Sequence, residues 1–185
     1  MSDWFETSQG IWTKVWSTLG RGVADAKHPA RRPTFATVSP DGWPEARTVV
    51  LRSADPDSAQ VTVHTDLFSD KIESLRATPR AALHIWDAKQ DLQIRLQAEV
   101  AILSGPQTRA LWDKIPDHAQ QSYGVTPPPG TPIDAALAYN KDPDPETFAI
   151  LECRVTHIDA VHLGTDHRRI RFSRLGHWHG QWLSP

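Results

Sequence analysis

Three groups of basic residues are the features of this 185-residue sequence whose types and spacing could do chemistry. In the first, Arg47 and Arg52 bracket the run TVVL, and in the second, Ser69 and Lys71 stand at the start of a predicted helix. The third is RRIRFSR, residues 168–174, with four arginines in seven residues. A helix start with a hydroxyl and a lysine favours an anion, and one arginine can hold two phosphate oxygens. If the groups converge, they predict a pocket for a phosphorylated small molecule.

Each group also has a plainer interpretation. An arginine at a strand end is more often a solvated charge than a ligand. The run RRIRFSR is also typical of an edge strand that its charges protect against aggregation. Ser69 could serve only as a helix cap, its side-chain oxygen accepting from a backbone N–H. Spacing alone leaves phosphate binding as the minority interpretation for each group.

Other reactive side chains give weaker signals. The nine histidines include none that shares a predictable face with another ligand type, so a metal site is weakly supported and we expect none. His177 and His179 could share a strand face, although a solvated hairpin fits better. Cys153 alternates within an apolar strand and is expected to be an inert core thiol. We also expect the tryptophans near the two ends to be core or interface anchors, namely Trp12, Trp16, Trp178 and Trp182.

Composition and charge exclude several classes of protein. The chain has 39% hydrophobic and 23% charged residues, which is typical of a globular protein. A formal charge of −2 gives no global field that favours nucleic acid or an anionic membrane. No apolar run approaches the ~20 residues that span a bilayer, and the first residues do not resemble a signal peptide. With one cysteine, we expect a cytoplasmic protein without a membrane or nucleic-acid partner.

The elements that must position the basic residues are predicted to be mostly strands. Apolar residues three or four apart in the first 25 residues predict one amphipathic helix, and DKIESLRA after Ser69 predicts another. Fifteen prolines favour many short strands over a few long helices. The predicted strands are TFATVS, EARTVVLR, QVTVHT, RAALHIW, DLQIRLQAEVAIL, PETFAILECRVTHIDAVHL, RRIRFSR and a last hairpin arm in WHGQWLSP.

A less regular segment, residues 105–145, interrupts the strands. It contains a predicted short helix at 108–114, a proline-rich loop at 125–132 and one or two possible helical turns at 133–139. We find no internal repeat and no domain boundary, so one domain is predicted over residues 1–185, with an N-terminal helical segment at 1–27 and an insertion at 105–145. Six to eight antiparallel strands with flanking helices predict a mainly β protein, a closed or split barrel.

The order of these runs resembles the pyridoxamine 5′-phosphate oxidase-like flavoproteins. The runs that carry the resemblance are TFATVSPDGWPEARTVVLR, VTVHTDLFSDKIESLRATPRAALHIW, LQIRLQAEV and the closing RRIRFSR and WLSP. The resemblance covers residues 33–104 well and 148–185 more loosely. It implies a split β-barrel that binds FMN at the interface of a homodimer and acts on a small-molecule substrate.

The resemblance also implies which residues bind FMN. Around the phosphate it places an arginine and a helix start, which here are Arg47 and Ser69 with Lys71. Beside the cofactor it places an aromatic–threonine pair, which here is His64 with Thr65. Along the flavin ring it places the strand Thr48, Val49, Val50 and Leu51, followed by Arg52. At the edge of the isoalloxazine it places Gln93 and, on the pyrimidine side, Arg171. A positive charge at that edge stabilises the anionic reduced flavin, and Arg171 or Arg95 could supply it.

The sequence departs from the family pattern at several positions. Asp70 replaces an arginine that is frequent in the helix start, His64 replaces a tyrosine, and Arg52 replaces a lysine. At the substrate positions, Leu111, Ile115 and Ala119 stand where the vitamin enzymes use tyrosine, arginine and serine. Their Arg-x-His becomes His167, Arg168 and Arg169, so that His167 and Arg169 are the remaining substrate candidates. Because each charge-assisted hydrogen bond is worth about 1.5–3 kcal/mol, these replacements predict weak binding of pyridoxamine phosphate.

These observations predict an FMN-dependent oxidoreductase of unassigned substrate. No catalytic acid or base is assigned, because a substrate that gives up hydride directly needs none. The first alternative is a non-catalytic flavin or small-ligand binding protein. A more distant alternative is a barrel that binds single-stranded nucleic acid through arginines and tryptophans, and the net charge of −2 argues against it.

Overall fold

The computed structural model describes residues 3–185. Met1 and Ser2, at the start of the predicted N-terminal segment, lie outside the described residues. The helices are α1 (Ser8–Ala24), α2 (Asp70–Ala77), α3 (Arg109–Trp112) and α4 (Asp117–Gln120). The strands are β1 (Thr34–Val38), β2 (Pro44–Thr48), β3 (Leu51–Asp55), β4 (Gln60–Asp66), β5 (Arg80–Asp87), β6 (Leu92–Ser104), β7 (Val125–Thr126), β8 (Asn140–Lys141), β9 (Phe148–His162), β10 (Arg168–Ser173) and β11 (Gln181–Leu183).

Nine of the strands in the described chain form one antiparallel sheet around β9. Strand β6 pairs with one edge of β9 along its whole length. The other edge is divided, because β4 pairs with Phe148–Arg154 and β10 pairs with His157–His162. The sheet continues from β6 through β5 and β1 to β2, while β3 pairs with β4. This divided edge confirms the predicted split β-barrel.

The N-terminal helix closes one side of the sheet. Thr7 caps α1, its Oγ1 accepting from the N–H of Gly10 at 3.0 Å. The helix packs against β3 and buries Ile11, Val15 and Leu19 in the core, which accounts for the apolar spacing in the sequence. Three of the four terminal tryptophans meet there, with the ring of Trp12 against those of Trp16 and Trp178. Trp182 is instead 47% exposed.

Strand β6 shows the alternation that the sequence predicts. Leu92, Ile94 and Leu96 are fully buried, whereas Arg95 and Gln97 are exposed on the opposite face. We call this outward surface of β1, β5, β6, β9 and β10 the open face. Cys153 is fully buried in β9, where burial raises its pKa to about 12, as expected of a core thiol. His177 and His179 are exposed between β10 and β11.

Two predicted elements differ from the structure. EARTVVLR is not one strand: the chain leaves β1 after Thr48, passes Val49 and Val50 without a sheet partner, and joins β4 from Leu51. We call residues 49–50 the corner. Residues 133–139 form no helix, because Leu137 is 81% exposed and a short helix without a buried face is marginal in water.

The insertion has its own small apolar cluster. Trp112, Tyr123, Phe148 and Ile150 are buried together, and the two-stranded ribbon of β7 and β8 lies beside them in the chain. Within residues 3–185, no helix is long and apolar enough to cross a membrane.

Candidate functional site

Hydroxyl and amine groups converge where β4 meets α2. Lys71 Nζ donates to Thr65 Oγ1 at 3.0 Å and to Ser69 Oγ at 2.9 Å, and the two hydroxyl oxygens lie 3.0 Å apart. Ser69 Oγ in turn donates to the carbonyl of Asp66 at 2.7 Å. We call Thr65, Asp66, Ser69 and Lys71 the cradle. The Lys71 amine and the Thr65 hydroxyl are donors of the kind that an anion requires, whereas the single O–H of Ser69 is already donated to Asp66.

Ser69 does not cap α2 as predicted. It occupies the N-cap position, but its side chain accepts no hydrogen bond from the helix. Its oxygen is used within the cradle instead, as donor to Asp66 and acceptor from Lys71. The side chain therefore does not compete with a ligand for the N–H groups at the positive end of α2.

Arg47 lies beside the cradle, on β2. Its guanidinium donates to Thr37 Oγ1 and to Glu45 Oε2, both at 2.7 Å. Glu45 also accepts from Ser74 Oγ of α2 at 3.4 Å, so β2 and the helix are joined next to Arg47. The charge of Arg47 lowers the pKa of Lys71, so the two cations lie close enough to interact electrostatically. The structure thus brings the first two basic groups together.

The electrostatics of Lys71 favour an anion. Burial is the main cause that lowers the pKa of its amine and Arg47 is the second, while Asp70 and Asp66 act in the opposite direction. Lys71 takes part in none of the ion pairs found within residues 3–185. A half-buried cation next to a second cation is an unfavourable arrangement that a bound anion would relieve.

A second set of polar side chains, Arg52 and His64, lies on the strands that follow the corner, and Tyr123 of the insertion contacts Arg52. Burial, with a smaller effect from Arg52, lowers the pKa of His64 to about 4, so its imidazole is neutral at pH 7. Burial raises the pKa of the Tyr123 phenol, and the nearby Arg52 guanidinium partly offsets this. Arg52 Nε is buried and has no hydrogen-bond partner in the described chain. Such an orphaned donor is costly and indicates a group that a ligand can complete.

The third basic group, residues 168–174, is not part of the cradle region. Asp159, on the open face, holds Arg95 and Arg169 at 2.9 Å each and Arg171 at 3.6 Å. Burial by itself would raise the pKa of Asp159, but hydrogen bonds from Arg169 and Arg95 outweigh it, and the pKa is lowered. Gln93 lies on the same face and contacts His84 Nε2 at 3.4 Å. His167 is exposed in the turn before β10.

The strand register shows how far apart along the sheet two basic regions lie, namely the cradle with Arg47 and the third basic group with Arg171. Thr48, next to Arg47, is linked to Arg171 by one cross-strand row through Thr34, His84, Arg95 and Asp159. Five inter-strand steps of about 4.8 Å make about 24 Å along the sheet. Within the described residues, the side-chain contacts of Arg171 and Gln93 are with Asp159 and His84, and none is with the cradle.

The residues that replace the family's substrate-binding tyrosine, arginine and serine have apolar side chains. Leu111 and Ile115 pack against the cluster that contains Trp112 and Phe148. Ala119 lies half-buried in α4. These side chains support the insertion and offer no charged group to a phosphate.

Two residues of the region had no signal in the sequence. Tyr123 reaches Arg52 from the insertion, and Asp66 accepts a buried hydrogen bond from the N–H of Gly124 at 3.0 Å. Both contacts join the insertion to strands far from it in the chain, and Asp66 and Gly124 are 58 positions apart in the sequence, so local patterns could not predict them.

A family model for the FMN-binding domain of pyridoxamine 5′-phosphate oxidase matches residues 12–104, which are 93 of the 185 residues. The chain is also 30% identical, over 172 residues, to the pyridoxine/pyridoxamine 5′-phosphate oxidase of Microcystis aeruginosa, a match that covers 93% of this chain and 70% of that relative. The chain belongs to the pyridoxamine 5′-phosphate oxidase FMN-binding family. This is an oxidoreductase family, and the resemblance found in the sequence is confirmed.

Solved structures of the pyridoxamine 5′-phosphate oxidase type share the fold. The FMN-binding protein of this type from Nostoc punctiforme is 24% identical, with 94% of this chain and 96% of that one covered and a TM-score of 0.77. PhzG from Burkholderia lata, in complex with tetrahydrophenazine-1-carboxylic acid, is 20% identical, with 97% and 94% covered and a TM-score of 0.75. Both therefore support the split-barrel assignment.

The residues of the cradle region fit the FMN of the family. A phosphate with nearly two negative charges matches the half-buried Lys71, the neighbouring Arg47 and two hydroxyl groups. The Nε of Arg52, which has no hydrogen-bond partner in the described chain, is a further donor on β3, just after the corner. The donor set thus has the charge and chemistry that a flavin mononucleotide needs at its phosphate end.

Proposed function

We propose that this chain is an FMN-dependent oxidoreductase that acts on a small molecule other than pyridoxamine phosphate. The observation that carries the proposal is the half-buried Lys71 amine, which is held by the hydroxyl groups of Thr65 and Ser69, with Arg47 close enough to lower its pKa. These groups would neutralise the phosphate of FMN. When bound, the flavin supplies the hydride chemistry, and the chain supplies position and charge.

The corner and its neighbours would position the ring. Thr48 still pairs with Thr34 on β1 and Leu51 already pairs with Val63 on β4, so the chain changes partner strand at Val49 and Val50. The backbone of residues 48–51 would lie along the flavin ring there. Arg52 follows on β3, and His64 and Thr65 lie on β4, which pairs with β3. His64 would act as a neutral hydrogen-bonding group, because its pKa is about 4.

The flavin edge would come from a second copy. Gln93 and Arg171 are the predicted contacts of that edge, and the register separates them from the cradle by several strands. The open face that carries them also has a groove of about 620 Å³, lined by small residues such as Ala36 and Ala82 and by charged residues such as Arg80 and Glu99. Val38, which also lines it, and Trp86 are exposed apolar side chains. A homodimer that buries the open face would place Arg171 of one copy near the cradle of the other.

The substrate is proposed to lack a phosphate. Leu111 and Ile115 pack into the apolar cluster, and Arg169 is engaged by Asp159. Without a charge-assisted hydrogen bond, binding is weaker by about 1.5–3 kcal/mol, or about one to two orders of magnitude in affinity. The fold neighbour PhzG was solved with a carboxylic acid, so this fold accommodates ligands without a phosphate. An amine or alcohol that gives up hydride directly fits the present residues.

Cofactor binding is tested with FMN and riboflavin, which differ only in the phosphate. Two charge-assisted hydrogen bonds predict that the apoprotein binds FMN about a hundredfold more tightly than riboflavin. Equal affinities, measured by quenching of flavin fluorescence, would reject the cradle as the phosphate site.

Turnover separates the enzyme from the non-catalytic alternative. The FMN-loaded protein is mixed without oxygen with NADH, NADPH and a panel of amines that includes pyridoxamine phosphate, and the flavin absorbance is followed. We expect reduction by a phosphate-free compound and reoxidation by oxygen. A flavin that no compound reduces would support a binding protein instead.

A further inference from the structure

Asp66 holds two parts of the chain together with one buried side chain. It is 6% exposed, and its Oδ1 accepts from the N–H of Phe68 at 2.8 Å. Its Oδ2 accepts from the N–H of Gly124, in the insertion, at 3.0 Å. Its main-chain carbonyl accepts from Ser69, both from the N–H at 3.2 Å and from Oγ at 2.7 Å. One residue therefore shapes the cradle and anchors the insertion.

Two other contacts bring the insertion and the residues that follow it against the same short segment. The N–H of Leu67 donates to the carbonyl of Thr147 at 2.7 Å. Gly130, in the proline-rich loop, lies so close to Asp70 that a Cβ built on it would be 2.8 Å from the carboxylate oxygen Oδ1. Gly130 also has a φ of +87°, a conformation that favours glycine. The segment between β4 and α2 is thus held on one side by these residues.

We propose that Asp66 is a positioning residue that couples the insertion to the cradle and thereby sets the affinity for the phosphate of FMN. This inference rests on the proposed function, because it takes the cradle as the phosphate site. Asp66 itself does not touch the phosphate. Its carbonyl fixes Ser69, whose hydroxyl orients Lys71, and its carboxylate fixes the N–H of Gly124.

Coupling of this kind acts in both directions. If the tie to Gly124 helps the cradle bind phosphate, then phosphate must equally strengthen the tie. The insertion is therefore expected to become more protected when FMN binds, and not when riboflavin binds. This reciprocal effect separates coupling from a purely local role in the cradle.

Charge alone predicts the opposite result for a substitution at Asp66. Asp66 and Asp70 both raise the pKa of Lys71, so each places negative charge near the cradle. Removing a negative charge from an anion site should tighten anion binding. If Asp66 acts through position, Asp66→Asn weakens FMN binding although it removes a repulsive charge. The sign of the change therefore decides between the two roles.

The experiment compares Asp66→Asn with Asp70→Asn as the matched control. Asp70 carries the same charge near Lys71 but is exposed. We expect Asp66→Asn to bind FMN about tenfold or more weakly, with riboflavin affinity little changed, because a buried backbone N–H no longer has its charged acceptor. Asp70→Asn should bind FMN as tightly as the wild type or more tightly. Dissociation constants are measured by flavin fluorescence at one fixed salt concentration.

Hydrogen exchange supplies the second measurement. In the wild type, FMN should slow exchange of the amides in the range 124–130, namely those of Gly124, Val125, Thr126 and Gly130, because residues 127–129 are prolines without an N–H, and riboflavin should not. This measurement decides the question even if Asp66→Asn does not fold.

The possible failures are distinguishable. A wild type that does not prefer FMN over riboflavin defeats the proposed function. A wild type that prefers FMN, with an Asp66→Asn variant that keeps the full preference or with no extra protection of 124–130 by FMN, overturns the coupling alone.

Discussion

Lys71 is a side chain whose position costs stability in the absence of a ligand. Burial and the charge of Arg47 both disfavour its protonated form, and its donors meet only neutral hydroxyl groups. Residues that are held for binding at a cost in stability are common at functional sites. Lys71 is therefore expected to lower the stability of the ligand-free protein while it strengthens the binding of an anion.

A substitution at Lys71 should show both effects. Lys71→Met removes a poorly placed charge and keeps most of the side-chain volume, so we expect the Tm of the apoprotein to stay the same or rise. FMN affinity should fall at least about tenfold, because methionine cannot donate a charge-assisted hydrogen bond to the phosphate. Thermal unfolding and fluorescence titration measure the two effects. Lys89→Met, in an exposed turn, is the control and should change neither. A destabilised apoprotein would contradict the argument.

His64 gives a prediction about pH. Its pKa of about 4 lies below the usual 6.5, so the unfolded chain takes up a proton between these values before the native chain does. The stabilising effect of a neutral His64 is therefore complete above about pH 6.5 and is lost as pH falls toward 4. Ring-proton NMR should show one histidine titrating near pH 4 that is missing in His64→Gln. A His64 resonance that titrates near 6.5 would refute the burial argument.

Strand β6 is the element in which sequence and structure agree most closely. Its two faces belong to different environments, since Leu96 is fully buried and its neighbour Gln97 is exposed on the open face. The alternation that predicted these faces is a local property of a strand. The two neighbours therefore provide a matched pair of substitutions.

Leu96→Ala should lower the free energy of unfolding by about 2–5 kcal/mol, because it leaves a cavity in the core. Gln97→Ala should lower it by less than Leu96→Ala does, because the Gln97 side chain lies outside the core and its removal leaves no core cavity. Urea unfolding of both variants measures the difference. Equal effects would mean that the faces of β6 are assigned wrongly.

What the sequence did not predict depends on distant contacts. The strand EARTVVLR was predicted as continuous because no glycine, proline or other turn residue interrupts it, and its break at residues 49–50 arises from a change of partner strand. The helical turns at 133–139 failed because Ile133 and Leu137 stay exposed and give such turns no buried face. The basic groups at Arg47 and Lys71 were found from local motifs, whereas Asp66 and Tyr123 matter only through the folded insertion.

At the scale of the whole molecule, the cradle region and the third basic group lie on different strands of the sheet and share no ion pair or hydrogen bond within residues 3–185. The row from Thr48 to Arg171 crosses six strands. The open face between them carries the groove, which is lined by small residues such as Ala82 and by charged residues such as Arg80 and Glu99. In the proposed homodimer, a second copy would complete the site.

Mixed dimers test this arrangement. Arg47→Gln and Arg171→Gln should each weaken FMN binding as homodimers. In a mixed dimer made from two differently tagged copies, one site has both arginines and the other has neither. We expect such dimers to bind one FMN tightly for every two chains. If each site used arginines of the same copy, mixing would restore nothing, and sedimentation together with flavin stoichiometry distinguishes the cases.

The corner at residues 49–50 is both the place where the chain changes partner strand and the backbone proposed to face the flavin. Damage to this joint, whether by heat or by substitution, would first disturb the ligand-facing backbone, while the core behind β6 and β9 stays packed. Loss of the bound flavin should therefore precede unfolding, and the first product of damage should be a colourless protein that is still folded. The visible absorbance of bound flavin would then report whether the backbone at residues 49–50 is intact.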